Sequence, residues 1–123
     1  MTKILVAEDE LDIRDLLVDL LCDAGYEVVE AADGGAALEQ VCREQPDIIL
    51  LDVMMPVLDG FQVLENLKSS PATQSIPVIM VTARGQDQDK LRARAGGACD
   101  YITKPWNPNE VQSKVKAAEA AIR

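Results

Sequence analysis

Acids that close apolar runs are the residues through which this chain could do chemistry. Residues 47–60 read DIILLDVMMPVLDG, in which Ile48, Ile49, Leu50, Leu51 and Val53 surround a single acid, Asp52. The run lacks polar alternation, so it reads as a strand covered on both faces, as in a parallel sheet. Asp52 then stands at the strand's carboxyl end, the edge where ligand crevices form in open α/β sheets. A carboxylate kept there is a candidate nucleophile or cation ligand; an acid that caps the next turn is the ordinary alternative. Three further groups stand at the ends of strand-like segments: Glu8, Asp9 and Glu10 after the apolar run Ile4 to Ala7, Thr82 at the end of Ile76 to Thr82, and Lys104 just past Ala98 to Thr103.

Those residues need elements to carry them, and the chain alternates strand with helix throughout. After the first strand, Ile13, Leu16, Leu17, Leu20, Leu21 and Ala24 recur at helical spacing, and Gly25 suits a left-handed terminator. A second strand spans 26–31. Asp33 and Gly34 open a helix carrying Leu38, Val41 and Cys42, closed before Pro46. Asp59-Gly60 starts a helix with Val63, Leu64 and Leu67 on its apolar face. The fourth strand is expected over 76–82, with Pro77 tolerable only near its start. Residues 85–95 form the weakest helix, with Leu91 as its one large apolar residue, and so a candidate moving part. Gly96 and Gly97 precede the fifth strand, 98–103. Asn107, Pro108 and Glu110 then make a strong helix start, followed by a stripe of Val111, Val115, Ala118 and Ile122.

Composition narrows the functional classes. The 123 residues suit one domain, 1–123, with a soluble mixture of 48% apolar and 27% charged residues. A net charge of -9 and no His argue against a nucleic-acid groove, which needs a basic face. Cys22, Cys42 and Cys99 are odd in number and have no metal-ligand spacing, so they read as core thiols of a reducing compartment. Lys3 is followed by only a short apolar run, and no stretch approaches membrane-spanning length, so neither signal peptide nor membrane span is expected. The expected location is cytoplasmic.

Right-handed crossovers between these strands give a parallel sheet in a three-layer α/β sandwich, with every carboxyl end along one edge. That edge collects Glu8, Asp9, Asp52, Thr82 and Lys104. If the first strand lies beside the third, three carboxylates converge and need a compensating cation. An all-oxygen site with room for waters and a phosphate suits Mg²⁺, with Mn²⁺ as a substitute. The reactive oxygen is expected to be exposed to an incoming phosphorus.

The acidic pair in AEDE, Asp52 with Pro56 four residues on, Thr82-Ala83 at a strand end, and AGGACDYITKP resemble the receiver domain of two-component response regulators. The resemblance covers essentially the whole chain. It implies a flavodoxin-like, doubly wound sheet of five parallel strands in the order 2-1-3-4-5 with five helices. It makes Asp52 the phospho-acceptor, gives Mg²⁺ to Glu8, Asp9, Asp52 and the Met54 backbone carbonyl, and places Lys104 against the phosphoryl oxygens. Thr82 and Tyr101 become a switch pair that alters a surface built from the fourth helix, fifth strand and fifth helix. The implied donor is a histidine kinase or phosphotransfer protein, the output is an unspecified protein or domain, and a phosphorylation-dependent dimer is one form the switch takes. Such a protein catalyses only its own phosphorylation and dephosphorylation. Members commonly hold the bond matching Lys104-Pro105 in cis.

Some positions depart from the commonest pattern: Glu8 replaces Asp, Val57 a frequent Gly and Trp106 a frequent Phe, while Met54 and Arg84 occupy rate-tuning places. Rival classes fit less well. A flavodoxin-type phosphate loop needs hydroxyls and glycine where the chain has EDEL, and a haloacid-dehalogenase-type hydrolase wants an acid where Met54 stands. No G-x-x-x-x-G-K-[ST] loop occurs. A degenerate receiver acting as a phosphorylation-independent docking module is the alternative, although it would be expected to lack Asp52, the acidic pair or Lys104.

Overall fold

In a computed structural model, which describes residues 1–83 and 87–122, the alternation of strand and helix holds throughout. The elements are β1 (Lys3–Ala7), α1 (Leu11–Asp23), β2 (Glu27–Ala31), α2 (Gly34–Glu44), β3 (Ile48–Asp52), α3 (Gly60–Ser69), β4 (Val78–Ala83), α4 (Asp87–Ala95), β5 (Asp100–Lys104) and α5 (Pro108–Ala121). All pairings are parallel, in the order β2-β1-β3-β4-β5.

The apolar strand runs work because successive side chains point to opposite faces. Ile48 and Leu50 join Ile4, Val6, Ile79 and Ile102 beneath α1 and α5, which contribute Leu17, Leu21, Val111 and Val115. Ile49 and Leu51 join Leu5, Val78 and Met80 on the other face, covered by Val41 of α2, Phe61, Val63, Leu64 and Leu67 of α3, and Ala93 of α4. Every residue of β3 is buried, as expected of a central strand under helices on both sides. Burying each such Leu or Ile contributes roughly 1.5–3 kcal/mol.

Local chemistry fixes the boundaries. Gly25 adopts φ 94°, the left-handed terminator after α1. The Asp33 side chain caps α2 through the Ala36 amide. Asp59 and Gln62 form a reciprocal capping box at the start of α3. Asn107 caps α5, with Pro108 at its first turn.

Several expectations need correction. The widely spaced apolar residues of α1 cover more than one helix face, so Leu17 and Leu21 meet the sheet while Leu16 and Ala24 remain exposed. On α5 the buried stripe stops at Ala118, and Ile122 is exposed at the frayed end. All three cysteines are exposed: each sits on a helix flank or strand approach where neighbours, not the thiol, reach the core. Strand β4 begins after Pro77, whose missing N–H cannot join a ladder, although its carbonyl accepts from Ile49. Tyr26 and Ala98 are bonded back to Leu21 and Ala93 of the preceding helices, so β2 and β5 start one and two residues later than expected. Lys104 is the last residue of β5 rather than just past it. Of the expected fourth helix, Gly85 and Gln86 lie outside the described residues, as does Arg84. The described part, α4, docks through Ala93 and leaves Leu91 exposed, consistent with its small apolar area.

Candidate functional site

Register brings the strand-end residues to one place. Ala7 pairs with Leu51 across β1 and β3, so Glu8 emerges level with Asp52. Asp52 pairs with Val81, and Ala83 with Lys104, which sets Thr82 and Lys104 just beyond the acids. The first residue of α3 presses on the same spot. A Cβ on Gly60 would lie 2.3 Å from the Asp52 carbonyl oxygen, so only glycine lets the helix approach the end of β3 this closely.

Carboxylate oxygens of Glu8, Asp9 and Asp52 lie within 4.8 Å of one another. Glu8 is 1% exposed and Asp52 3%, while Asp9 is exposed. The Lys104 ammonium stands 2.7 Å from Glu8 Oε1 and 3.0 Å from Asp52 Oδ2. The second contact is also a hydrogen bond. The first is a charge contact without hydrogen-bond alignment, because Glu8 Oε1 has no hydrogen-bond partner among the described residues. Asp52 Oδ1 accepts from the Met54 amide at 3.3 Å, and Glu8 Oε2 from the Glu10 amide at 3.1 Å.

This crowding shifts the ionisations. Burial, and then the neighbouring Asp52, push the Glu8 carboxyl above its ordinary value, with Lys104 opposing. Burial and the neighbouring Glu8 raise Asp9. Burial pulls the Lys104 ammonium down, but Glu8 and Asp52 together outweigh it and hold Lys104 above its usual range. One ammonium facing three carboxylates leaves an excess of negative charge lined entirely by oxygen. With a buried Glu8 oxygen still lacking a hydrogen bond, that donor set suits a hard divalent cation such as Mg²⁺.

The expectation of an open reactive oxygen is corrected here. Asp52 is buried, with the Lys104 ammonium on its Oδ2 and the Met54 amide on its Oδ1. The Lys104 side chain is partly exposed and, with Ile13, Leu16, Pro105 and Trp106, lines an adjoining apolar cavity of about 330 Å³. The Lys104–Pro105 peptide is cis, the isomer implied by the resemblance.

The expected switch residues share one sheet face. Thr82 lies two residues beyond Met80, and Met80 pairs with Tyr101, so both side chains project toward the α4 side. Thr82 is fully buried, and its Oγ1 has no hydrogen-bond partner among the described residues. The half-buried Tyr101 ring is flanked by Lys90, Arg94 and Lys114, their charged groups 5.2, 5.5 and 4.9 Å from its centroid.

Sequence reasoning missed Arg14 of α1, which donates to the Glu8 carbonyl at 2.9 Å and pairs with Glu30 at 3.1 Å. A bond to a backbone carbonyl leaves no side-chain motif. Val57 was noted only as an unusual residue; it adopts φ 74° and is 77% exposed in the loop after Asp52.

The buried acid at the end of β3, the acids that follow β1 and the lysine at the end of β5 meet at the carboxyl edge of a doubly wound parallel sheet. The response regulator receiver domain model matches residues 4–116. The chain is 44% identical over 120 residues to the phosphate regulon transcriptional regulatory protein PhoB of Escherichia coli, covering 98% of this chain and 52% of that protein. It is 44% identical over 115 residues to the alkaline phosphatase synthesis transcriptional regulatory protein PhoP of Bacillus subtilis, covering 94% and 47%. The chain therefore spans about half the length of these curated relatives. Among solved structures, the chemotaxis response regulator CheY4 of Vibrio cholerae superimposes with TM-score 0.89 at 33% identity, covering 96% of this chain and 98% of that one. The receiver domain of a Francisella response regulator gives TM-score 0.92 at 29% identity, covering both chains completely.

The protein belongs to the response regulator receiver domain family of two-component signalling. Its relatives are regulators rather than metabolic enzymes. Among the described residues, no helix is long and apolar enough to cross a membrane.

Proposed function

We propose that residues 1–123 act as a cytoplasmic, phosphorylation-controlled receiver domain in which Asp52 accepts a phosphoryl group from a histidine kinase or phosphotransfer protein. The observation that carries this reading is the buried Asp52 carboxylate, held between two further acids and a lysine at the carboxyl edge of the sheet. An Asp52 oxygen forms a bond to phosphorus as the donor's bond to phosphorus breaks, and the leaving group departs with that electron pair. Glu8, Asp9, Asp52 and the Met54 carbonyl would hold Mg²⁺, or Mn²⁺ in its place. When bound, the cation supplies positive charge against the oxygens of the transferring group.

Lys104 is a partly exposed side chain, so its ammonium swings off Asp52 and pairs with a phosphoryl oxygen. The Thr82 hydroxyl donates to another, which draws the end of β4 inward and lets Tyr101 turn toward the space left. The output is a changed α4-β5-α5 face, read by a partner protein, an attached domain or a second copy of the chain. Direct nucleic-acid contact by this acidic domain is not part of the proposal. The same site hydrolyses the acyl phosphate and turns over no separate metabolite.

The test is incubation with Mg²⁺ and acetyl phosphate followed by intact mass. A gain of one phosphoryl group that disappears in Asp52→Asn supports the reading. Unchanged mass in the folded wild type points instead to a docking module.

A further inference from the structure

Arg14 lies outside the acidic pocket yet touches the one backbone unit that both metal-side acids depend on. Its Nη1 donates to the Glu8 carbonyl oxygen at 2.9 Å and its Nε to Glu30 Oε1 at 3.1 Å. Its side chain is only 15% exposed. The Glu8 carbonyl belongs to the planar peptide that links Glu8 to Asp9, so the orientation of this plane sets where both carboxylates leave the chain. The other side of Glu8 is already tied, because its amide donates to Ala31 at the end of β2. The loop then enters α1 at Glu10, which has no side-chain cap; the Glu10 amide instead donates to Glu8 Oε2 at 3.1 Å. A cation that drew Glu8 toward Asp52 would compete with that cap. Among the described residues, Arg14 is then the side-chain donor that fixes the Glu8–Asp9 plane without using a carboxylate oxygen.

We propose that Arg14, oriented by Glu30, is a positioning residue that presents Glu8 and Asp9 to the divalent cation and so sets the cation affinity of the pocket. The inference rests on the cation-dependent reading of that pocket given above. A guanidinium suits this task because its donors form a rigid fork: Nε engages Glu30, and Nη1 is thereby aimed at the carbonyl. Lysine offers a single ammonium on a flexible stem and holds the plane less firmly. Simple electrostatics predicts the opposite sign. Removing a positive charge near a cation site should tighten cation binding, whereas removing a positioning group should weaken it. Loss of outer-shell partners of metal ligands typically lowers affinity on the order of 10- to 100-fold. Because Glu8 keeps its bond to Ala31, the lower end, about 10-fold, is expected.

The experiment titrates Mn²⁺ into the full chain and counts free ion by electron paramagnetic resonance, with thermal melts of every variant as a folding check. Arg14→Met should bind Mn²⁺ about 10-fold more weakly than wild type, with Arg14→Lys between them. Lys3→Met breaks the ion pairs with Glu27 and Glu44 at the opposite edge of the sheet and should leave Mn²⁺ affinity unchanged. If Arg14→Met does not fold, Arg14→Lys carries the test, because it keeps the charge, loses the fork and should also weaken binding. Unchanged or tighter binding in the folded Arg14 variants, or an equal loss in Lys3→Met, overturns the inference. A folded wild type that binds no Mn²⁺ overturns the underlying reading of the pocket.

Discussion

Replacing Lys104 with Met should expose how much the acidic pocket depends on its internal counter-charge. The ammonium stands 2.7 Å from Glu8 and 3.0 Å from Asp52, and these two acids are 1% and 3% exposed. At an effective dielectric of about 20 the two contacts amount to roughly 6 and 5.5 kcal/mol before desolvation, which offsets most of that. Removing one member of a buried pair typically costs about 3–5 kcal/mol, because the partner charge remains buried. Two effects reduce the figure here: the Lys104 side chain is 21% exposed, and Glu8 can take up a proton. A loss of roughly 2–3 kcal/mol near neutral pH results, equal to a fall of about 8–12 °C in melting midpoint for a domain of this size.

The sign of the pH dependence follows from Glu8. Its folded value already lies above the ordinary 4.5, and losing Lys104 raises it further. The folded variant therefore keeps a proton that the unfolded chain releases. Stability from that proton is complete below the unfolded value and disappears as pH rises through the raised one. The deficit of Lys104→Met should be smaller at about pH 5.5 than at about pH 8. Mg²⁺ should raise the variant's midpoint more than that of the wild type, since the cation replaces the missing charge. Melts followed by circular dichroism at both pH values, with and without Mg²⁺, provide the assay. A midpoint equal to wild type, or a deficit indifferent to both pH and Mg²⁺, would refute the reasoning.

Two other substitutions give distinct outcomes. Thr82→Ala removes a buried hydroxyl without a hydrogen-bond partner among the described residues, so relief of about 1–3 kcal/mol offsets lost packing. Urea denaturation should find its stability within about 1 kcal/mol of wild type, while phosphorylation no longer alters partner binding; a loss above about 2 kcal/mol would mean that the hydroxyl is bonded. Val57→Gly relieves a β-branched residue at φ 74°, a strain of about 1–2 kcal/mol, at an entropic cost of about 0.5–1 kcal/mol. The urea midpoint should rise by the equivalent of up to about 1 kcal/mol, and a fall would contradict the strain argument.

Much of this arrangement was legible because each signal was strong locally. The unbroken Ile48–Leu51 run announces a strand buried on both faces, and Asp59 with Gly60 announces a helix start. The strand-end residues Glu8, Asp52, Thr82 and Lys104 follow once topology gathers the carboxyl ends. What escaped depends on three-dimensional direction. Spacing alone cannot show that Leu16 points away from the sheet while Leu17 meets it, or that three small thiols end at the surface. Strand starts shifted where Tyr26 and Ala98 stayed bonded to the preceding helices. The burial of Asp52 and its pairing with Lys104 were hidden too, because they require knowing that two buried acids share one ammonium.

The central claim is that Asp52 itself becomes the acyl phosphate. It is tested most directly by phosphorylating the protein in Mg²⁺, reducing with borohydride and mapping peptides by mass spectrometry. Borohydride converts an aspartyl phosphate to homoserine, so the account predicts homoserine at position 52 only. Homoserine at another acid, or none after phosphorylation in Mg²⁺, would contradict it.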